Sequence, residues 1–435
     1  MLFKRLLLVA LCLLAGPRAA LATEWFVAAD ENGSGTSPEP FGRIQQALDV
    51  ARPGDVVSVR AGVYLETLRT VRDGSTGAPI VVRGVQGEVI VTARDTVLTV
   101  EHAHHVFEGM VFDAQYAAAD AVKVRTAAHY LVLRRLEVLR STRDCIDIGS
   151  PHDVLIEHSI VHHCLNAASG RTDAHAVVAG AIQNLTIRDS EFHTFSGDGL
   201  QLDPARAAPG WNHVTVERCL FWLRPLEEPE NGFAVGVVPG ENAIDTKTST
   251  TSGRGSITIR DTVARGFRGP LVRHMAAFNL KELVHAVIDR VTVTDSEIAF
   301  RLRGPALVDI QNAVVDRVDI GVRYEDNIER IQLWNSTFGR VGRPFHRAEA
   351  VKDAFNTRNL LFLADELPEE ASGPGNLAVG PRAFRNAADG DYRLVPGSPA
   401  VDAGQQTSVV VDREGMRRPQ GAGHDVGAYE LAGSR

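Results

Sequence analysis

The 435 residues carry 46 Lys and Arg against 54 Asp and Glu, a net charge of −8 with histidine neutral. A net acidic surface is a poor match to nucleic acid or to an anionic membrane. With 44% hydrophobic residues and 20 prolines the composition is neither disordered nor collagen-like, and the length allows a large core.

The chain opens with Lys4 and Arg5, the apolar run from Leu6 to Ala15, and the small residues of Ala20-Leu21-Ala22. This pattern reads as a signal peptide over residues 1–22, cleaved before Thr23, and so predicts a secreted or periplasmic protein. Loss of Lys4, Arg5 and Arg18 moves the net charge to −11. No later apolar stretch reaches the roughly 18 residues of a membrane span, and Cys12 lacks a Leu-Ala-Gly ahead of it, so no membrane anchor is expected. Cys145, Cys164 and Cys219 remain, an odd number that does not read as a disulfide framework. One bridge is compatible with an oxidising compartment, but apolar packing positions are expected for at least two of the three.

After the leader, residues 23–60 contain PFGRIQQALDVA, which places Phe41, Ile44, Leu48 and Ala51 at helical spacing. The Pro53-Gly54-Asp55 turn and the strand VVSVRAG follow, so this region reads as an N-terminal cap helix with a first strand. From there a β-branched run recurs near Val106, Leu131, Val154, Leu185, Val214, Ile257, Val287, Val308 and Ile331, at intervals of 25, 23, 31, 29, 43, 30, 21 and 23 residues. A second series of short strands alternates with it, around Leu98, Val122, Ile146, Ala176, Leu200, Ile244, Leu271, Phe300, Val322 and Phe345. Recurrence at a fixed period predicts a solenoid whose coils bury their apolar faces only by stacking. The fold class is therefore all-β, a parallel β-helix over residues 61–350, with a tail over 351–435 packed on the last coils. A β-sandwich also has many short strands, but it would call for frequent two-residue hairpin turns, and the even period would then be accidental.

The opening WFVAADENGSGTSPEPFGRIQQALDVARPGDVVSVRAGVYLETL and the ending DYRLVPGSPAVDAG with DREGMRRPQGAGHDVGAYE resemble the two ends of the pectate-lyase-like superfamily of secreted right-handed parallel β-helix proteins. The resemblance covers nearly all of the mature chain and implies that fold. Because the superfamily includes lyases, hydrolases, epimerases and binding proteins, it implies carbohydrate without choosing a reaction.

The long intervals mark insertions at about 166–173, 204–212, 224–241 and 275–281, loops that would wall one side of the solenoid. Counting outward from the inward residues predicts a column of Asp147, Val177, Gln201, Asp245, Val272 and Arg301, with Asp203, Lys247, His274 and Arg303 two residues on. Adjacent coils lie about 4.8 Å apart, so such columns bring side chains into contact. One end is acidic, with Asp144, Asp147, Asp198, Asp203 and Asp245 and with Asp173 and Glu241 on adjoining turns; the other is basic, with Lys247, Arg273, His274, Arg301 and Arg303. Clustered carboxylates repel, and calcium held by Asp198, Asp203, Asp245 and Asp147 would relieve that repulsion. Such a patch suits β-elimination on an acidic, uronic-acid-containing polysaccharide: Lys247 as base, Arg273 and a metal lowering its pKa, and Arg301 or Arg303 binding a neighbouring carboxylate. His274 is a candidate donor to substrate, and Trp211 and Trp222 are candidates for sugar contact.

GENAIDTK, from Gly240 to Lys247, with DGLQLD before it, also resembles the active coil of calcium-dependent polysaccharide lyases that use a lysine base. The compact run of aspartates typical of those sites is absent. A binding or structural β-helix with a merely solvated Asp/Arg face, a glycoside hydrolase using Asp198 with Asp203 or Asp245, and a uronate epimerase stand as alternatives. Of the histidines, His152, His158, His162 and His163 share neighbouring parity, and zinc there would need a convergent third ligand. Asn184 begins an Asn-Leu-Thr glycosylation acceptor that also reads as a strand start. No nucleotide fingerprint is present, and a monomer is expected.

Overall fold

A computed structural model describes residues 22–167, 173–203, 209–325, 327–348 and 355–432. The leader segment lies outside them, apart from Ala22. The expected right-handed parallel β-helix forms, with three faces per coil. The first face is a 13-stranded sheet running from Glu24–Val27 to Phe355–Arg358. The second and third faces belong to one 22-stranded sheet, because Thr292–Arg303 and Val314–Glu325 pass from one to the other without a break. All pairings between coils are parallel.

Period-2 alternation explains how the coil closes on a dry interior. On the first face Val82, Phe107, Leu133, Ile156, Ile187, Val216, Ile259, Ile288, Ile310 and Leu333 lie in register as one buried column. Each such side chain contributes about 1.5–3 kcal/mol by leaving water. In most coils the corner from first to second face is made by one left-handed residue, among them Arg135, His158, Asp189, Arg218, Asp261, Arg290, Asn312, Asn335 and Asn359, with φ between 47° and 55°. Behind these residues buried hydroxyls bridge successive coils, as where the Leu136 and Ser159 amides donate to Ser159 Oγ and Ser190 Oγ at 3.1 Å.

The helix Ile44–Val50 closes the first coil by burying Ile44, Ala47 and Leu48. Its first amides are capped from a distance: Ile44 and Gln45 donate to the Glu66 carboxylate at 2.7 and 3.1 Å, on the positive end of the helix. At the far end the period continues past residue 351, with Phe355–Arg358 and Leu361–Leu363 adding another coil. The chain then turns back as an antiparallel pair, Phe384–Asn386 with Asp391–Leu394, whose Tyr392 is buried and donates to Asp316 Oδ1 at 2.6 Å. Deeper in the tail, Arg418 reaches Glu430 at 2.8 Å with both side chains fully buried. No helix among the described residues is long and apolar enough to cross a membrane.

Two expectations about the third face change. The strand placed at Ala176 starts one residue later, as Val177–Ala179, so Val177 is buried and Val178 points out. The strand expected around Leu271 is instead Ala276–Leu280, while Leu271 is 56% exposed. The insertion assigned to 275–281 therefore precedes that range, because Ala276-Ala277-Phe278 carries the buried pattern more fully than Pro270-Leu271-Val272. Parts of the insertions at 166–173 and 204–212 lie outside the described residues.

Cys145 and Cys164 are joined by a disulfide in the interior, where two apolar packing positions were expected, while Cys219 is buried and free. Replacing Cys164 by Ser is expected to lower unfolding stability by roughly 2–4 kcal/mol through the lost cross-link, as read by urea denaturation. The Cys219→Ser variant, which breaks no bridge, is the comparison for the cost of polarity alone.

Candidate functional site

Parallel register sets the outward column of the third face as Lys123, Asp147, Val178, Gln201, Asp245, Asn279, Arg301, Arg323 and His346. Two residues further along each strand come Asp203, Lys247, Lys281, Arg303 and Glu325. Asp203 and Lys247 meet as expected. Lys247 Nζ lies 2.7 Å from Gln201 Oε1, 4.0 Å from Asp203 Oδ2 and 3.9 Å from Asp245 Oδ2, with about a quarter of its side chain exposed.

Beneath Lys247 the carboxylates are held by protein donors. Asp198 accepts from the Asn242 amide at 3.2 Å, Asn242 Nδ2 at 2.8 Å and Gln201 Nε2 at 2.9 Å. Asp245 pairs with Lys281 Nζ at 2.9 Å. His175, itself buried, stands between two acids, with Nδ1 3.5 Å from Asp144 Oδ1 and Nε2 3.8 Å from Asp198 Oδ2. Burial and the Asp198 carboxylate push Asp245 up to about 7, against Lys281 and Lys247. Burial, Asp198, Asp173 and Asp245 push Glu241 up to about 7 as well. Burial also raises Asp144 and Asp147.

The four aspartates suggested for calcium do not make one oxygen cage. In register, Asp147 is separated from Gln201 by Val178, Asp198 is occupied by three amide donors, and Asp245 is occupied by a lysine. Calcium needs six to eight oxygens with lone pairs to spare, and this donor set does not fit it.

The basic end is built around one acid. Glu325 accepts from Arg301 Nε at 2.8 Å and from Arg323 Nη2 at 3.0 Å, and Arg303 Nε lies 3.1 Å away. Burial opposes its ionisation, but Arg301 and Arg323 hold it below the usual carboxylate range. Arg301, Arg303 and Arg323 thus gather around the Glu325 carboxylate. His274 joins this end, its Nδ1 3.1 Å from Arg323 Nη1, whereas Arg273 stands exposed in the segment before Ala276–Leu280. Trp211 is only 1% exposed and donates to the Lys247 carbonyl at 2.8 Å, so it supports the strand end from inside and is not available to sugar. Trp222 sits on the second face, stacked on His193 with ring centroids 4.3 Å apart and bonded to Glu191.

The residues missed in sequence are His175, Asn242, Lys281, Arg323 and Glu325. A usable signal existed for Lys281: Asn-Leu-Lys at 279–281 repeats the spacing of Asp-Thr-Lys at 245–247 one coil later. The expected histidine group also changes. His152 stacks on His129 at 3.8 Å, and His158 occupies a corner. His162 and His163 gain His193 from the next coil; the three offer ligand atoms all within 4.8 Å of one another and could hold a divalent metal ion.

The raised Glu241 carboxyl carries a sign that stability measurements can check. A carboxyl whose pKa is higher in the folded than in the unfolded chain stabilises most fully below its unfolded value, and that contribution is lost as pH rises through about 7. The Glu241→Gln variant cannot ionise, so its melting temperature is expected to fall less than that of the wild type between pH 5 and pH 8 in thermal melts. An equal fall in both would remove Glu241 from the buried acidic group.

No protein-family profile matches the chain. Among curated proteins, an uncharacterised protein of Bacillus subtilis (strain 168), YwoF, is 34% identical over 73 residues, 17% of this chain and 15% of that protein, so the match spans a small part of the relative's length. Among solved structures, the pectate lyase Pel9A is similar over 94% of this chain and 97% of its own, with a TM-score of 0.54 at 15% identity. A rhamnogalacturonan lyase is similar over 78% of this chain and 87% of its own, with a TM-score of 0.50 at 12% identity. At these identities the likeness establishes the right-handed parallel β-solenoid that the chain shares with them.

Proposed function

We propose that the protein is an exported polysaccharide lyase that cleaves a uronic-acid-containing polymer by β-elimination, with Lys247 as the base. The observation that carries this reading is the convergence of Lys247 with Gln201, Asp203 and Asp245 on an outward row that becomes cationic within two coils. The fold shared with a pectate lyase and a rhamnogalacturonan lyase supports the substrate class. The leader pattern and the interior disulfide support export.

The reaction follows from these groups. Lys247 removes the proton at C5 of a uronate; the electron pair becomes the C4=C5 double bond as the C4–O bond breaks, and the departing oxygen takes a proton. Glu241, whose carboxyl holds its proton to near neutrality, serves as that acid. Lys281 and Arg301 face the substrate carboxylate with positive charge, which acidifies the C5 proton. Arg303 and Arg323, braced on Glu325, receive the carboxylate of a neighbouring sugar through a planar fork. Calcium enters no step, since Asp198 and Asp245 are held by protein donors.

A glycoside hydrolase is the second reading, favoured by the two raised carboxyls, Glu241 and Asp245, in one site. The products separate them: unsaturated uronate absorbance marks elimination, and new reducing ends without it mark hydrolysis. On a panel of uronate polymers the wild type is expected to yield unsaturated product, with the rate unchanged on adding calcium. Lys247→Ala is expected to lower that rate by about 10²–10⁴ while substrate affinity stays within a few-fold. Full elimination activity in Lys247→Ala rejects the base.

A further inference from the structure

The second face carries a separate group of side chains that the lyase reading does not use. Adjacent residues of a strand point to opposite sides, so His162 and His163 would ordinarily be split between surface and core. A left-handed φ of 55° at His163 undoes the alternation. Both rings stay out of the core, and their Nδ1 atoms face each other at 2.5 Å. The next coil adds His193 in register with His162, the two rings stacked at 4.8 Å.

Outer contacts fix these rings. His162 Nε2 lies 3.1 Å from Glu137 Oε1, so the carboxylate takes that N–H and the Nδ1 lone pair is presented to His163. A carboxylate behind a ligating imidazole is the arrangement that orients histidines on zinc. His193 is set by the Thr194 hydroxyl, 2.9 Å from its Nδ1, and by the Trp222 ring, which is anchored on Glu191 at 2.6 Å. The neighbouring wall loop is tied down beside the group: Tyr116 donates to Glu230, and Asn231 donates to the Leu165 carbonyl at 2.6 Å.

We propose that His162, His163 and His193 bind one divalent ion of the zinc class, at a site that joins two coils at the foot of the 224–241 wall. Imidazole nitrogens suit zinc, cobalt, nickel or copper and not calcium, which takes oxygen. Three nitrogen ligands leave the fourth position of a tetrahedral ion to water. The site lies on a different face from Lys247 and stands whether or not the lyase reading does.

The test is calorimetric titration of the untagged mature protein, freed of metal with EDTA and dialysed, with zinc chloride. One zinc per chain is expected, with a higher melting temperature, and no competition from millimolar calcium chloride. His163→Ala and His193→Ala should each weaken binding at least tenfold, and Glu137→Gln by about tenfold. Cobalt(II) in place of zinc should give tetrahedral visible absorption that either histidine variant abolishes. Circular dichroism checks that the variants are folded; His163, on the outer bulge, carries the test if His193→Ala does not fold. Absence of zinc binding, or several weak ions bound equally by wild type and histidine variants, overturns the site.

Discussion

In-register parallel stacking governs everything above it. Each residue of one coil meets its counterpart in the next at about 4.8 Å, so the sequence is read as columns, and a column holds only residues that tolerate close company with themselves or with a complement. Inside, that means β-branched and aromatic ladders such as Phe192 on Phe221 and Phe278 on Phe300. Outside, it means charges that alternate in sign: Arg188 with Glu157, Arg260 with Glu217, Arg290 with Asp261. Single exposed pairs of this kind contribute little, but along a solenoid they fix the register that the interior needs.

The third face departs from that economy between Asp144 and Glu325. Its acids are gathered without an alternating partner, and amides, one histidine and two lysines fill the gaps. His175 between Asp144 and Asp198 and Lys281 against Asp245 perform the neutralisation that a bound cation was expected to supply. The site is thus a protein-made charge network that grades from buried acid to clustered arginine over a few coils. On the lyase reading proposed above, a polymer bearing a carboxylate on each sugar is the ligand that such a grade would select.

The sequence discloses the fold because its period is long-range but regular: nine β-branched runs cannot recur by chance, and the helix at Ile44–Val50 has its own period. It discloses the site less evenly. Asp245, Lys247, Gln201, Arg301 and Arg303 follow from counting, since their strands have clear inward residues. The count slips at Val177 because Ala176 and Val177 are both small, apolar and buried, and one residue of slip exchanges the two sides of a strand. It fails at Leu271 because an exposed Pro-Leu-Val imitates a strand ahead of the true one, which costs the site Asn279 and Lys281. Trp211 has no linear mark of its interior position; only the close approach of Gly255, where any side chain would meet the indole, shows that the ring lies in the core. His193 is invisible as a partner of His162 until the coils are aligned.

The two covers have a meaning beyond stability. Strands stacked in parallel register, with like side chains above like, have the geometry of an amyloid protofilament, and an open last coil is a template on which another chain can grow. The helix at residues 44–50 occupies one such end, and the reversed, antiparallel tail with Tyr392 on Asp316 runs against the grain at the other. The chain therefore carries a fibre's repeat while denying it a growing tip, which lets a long cross-β stack exist as a finite molecule.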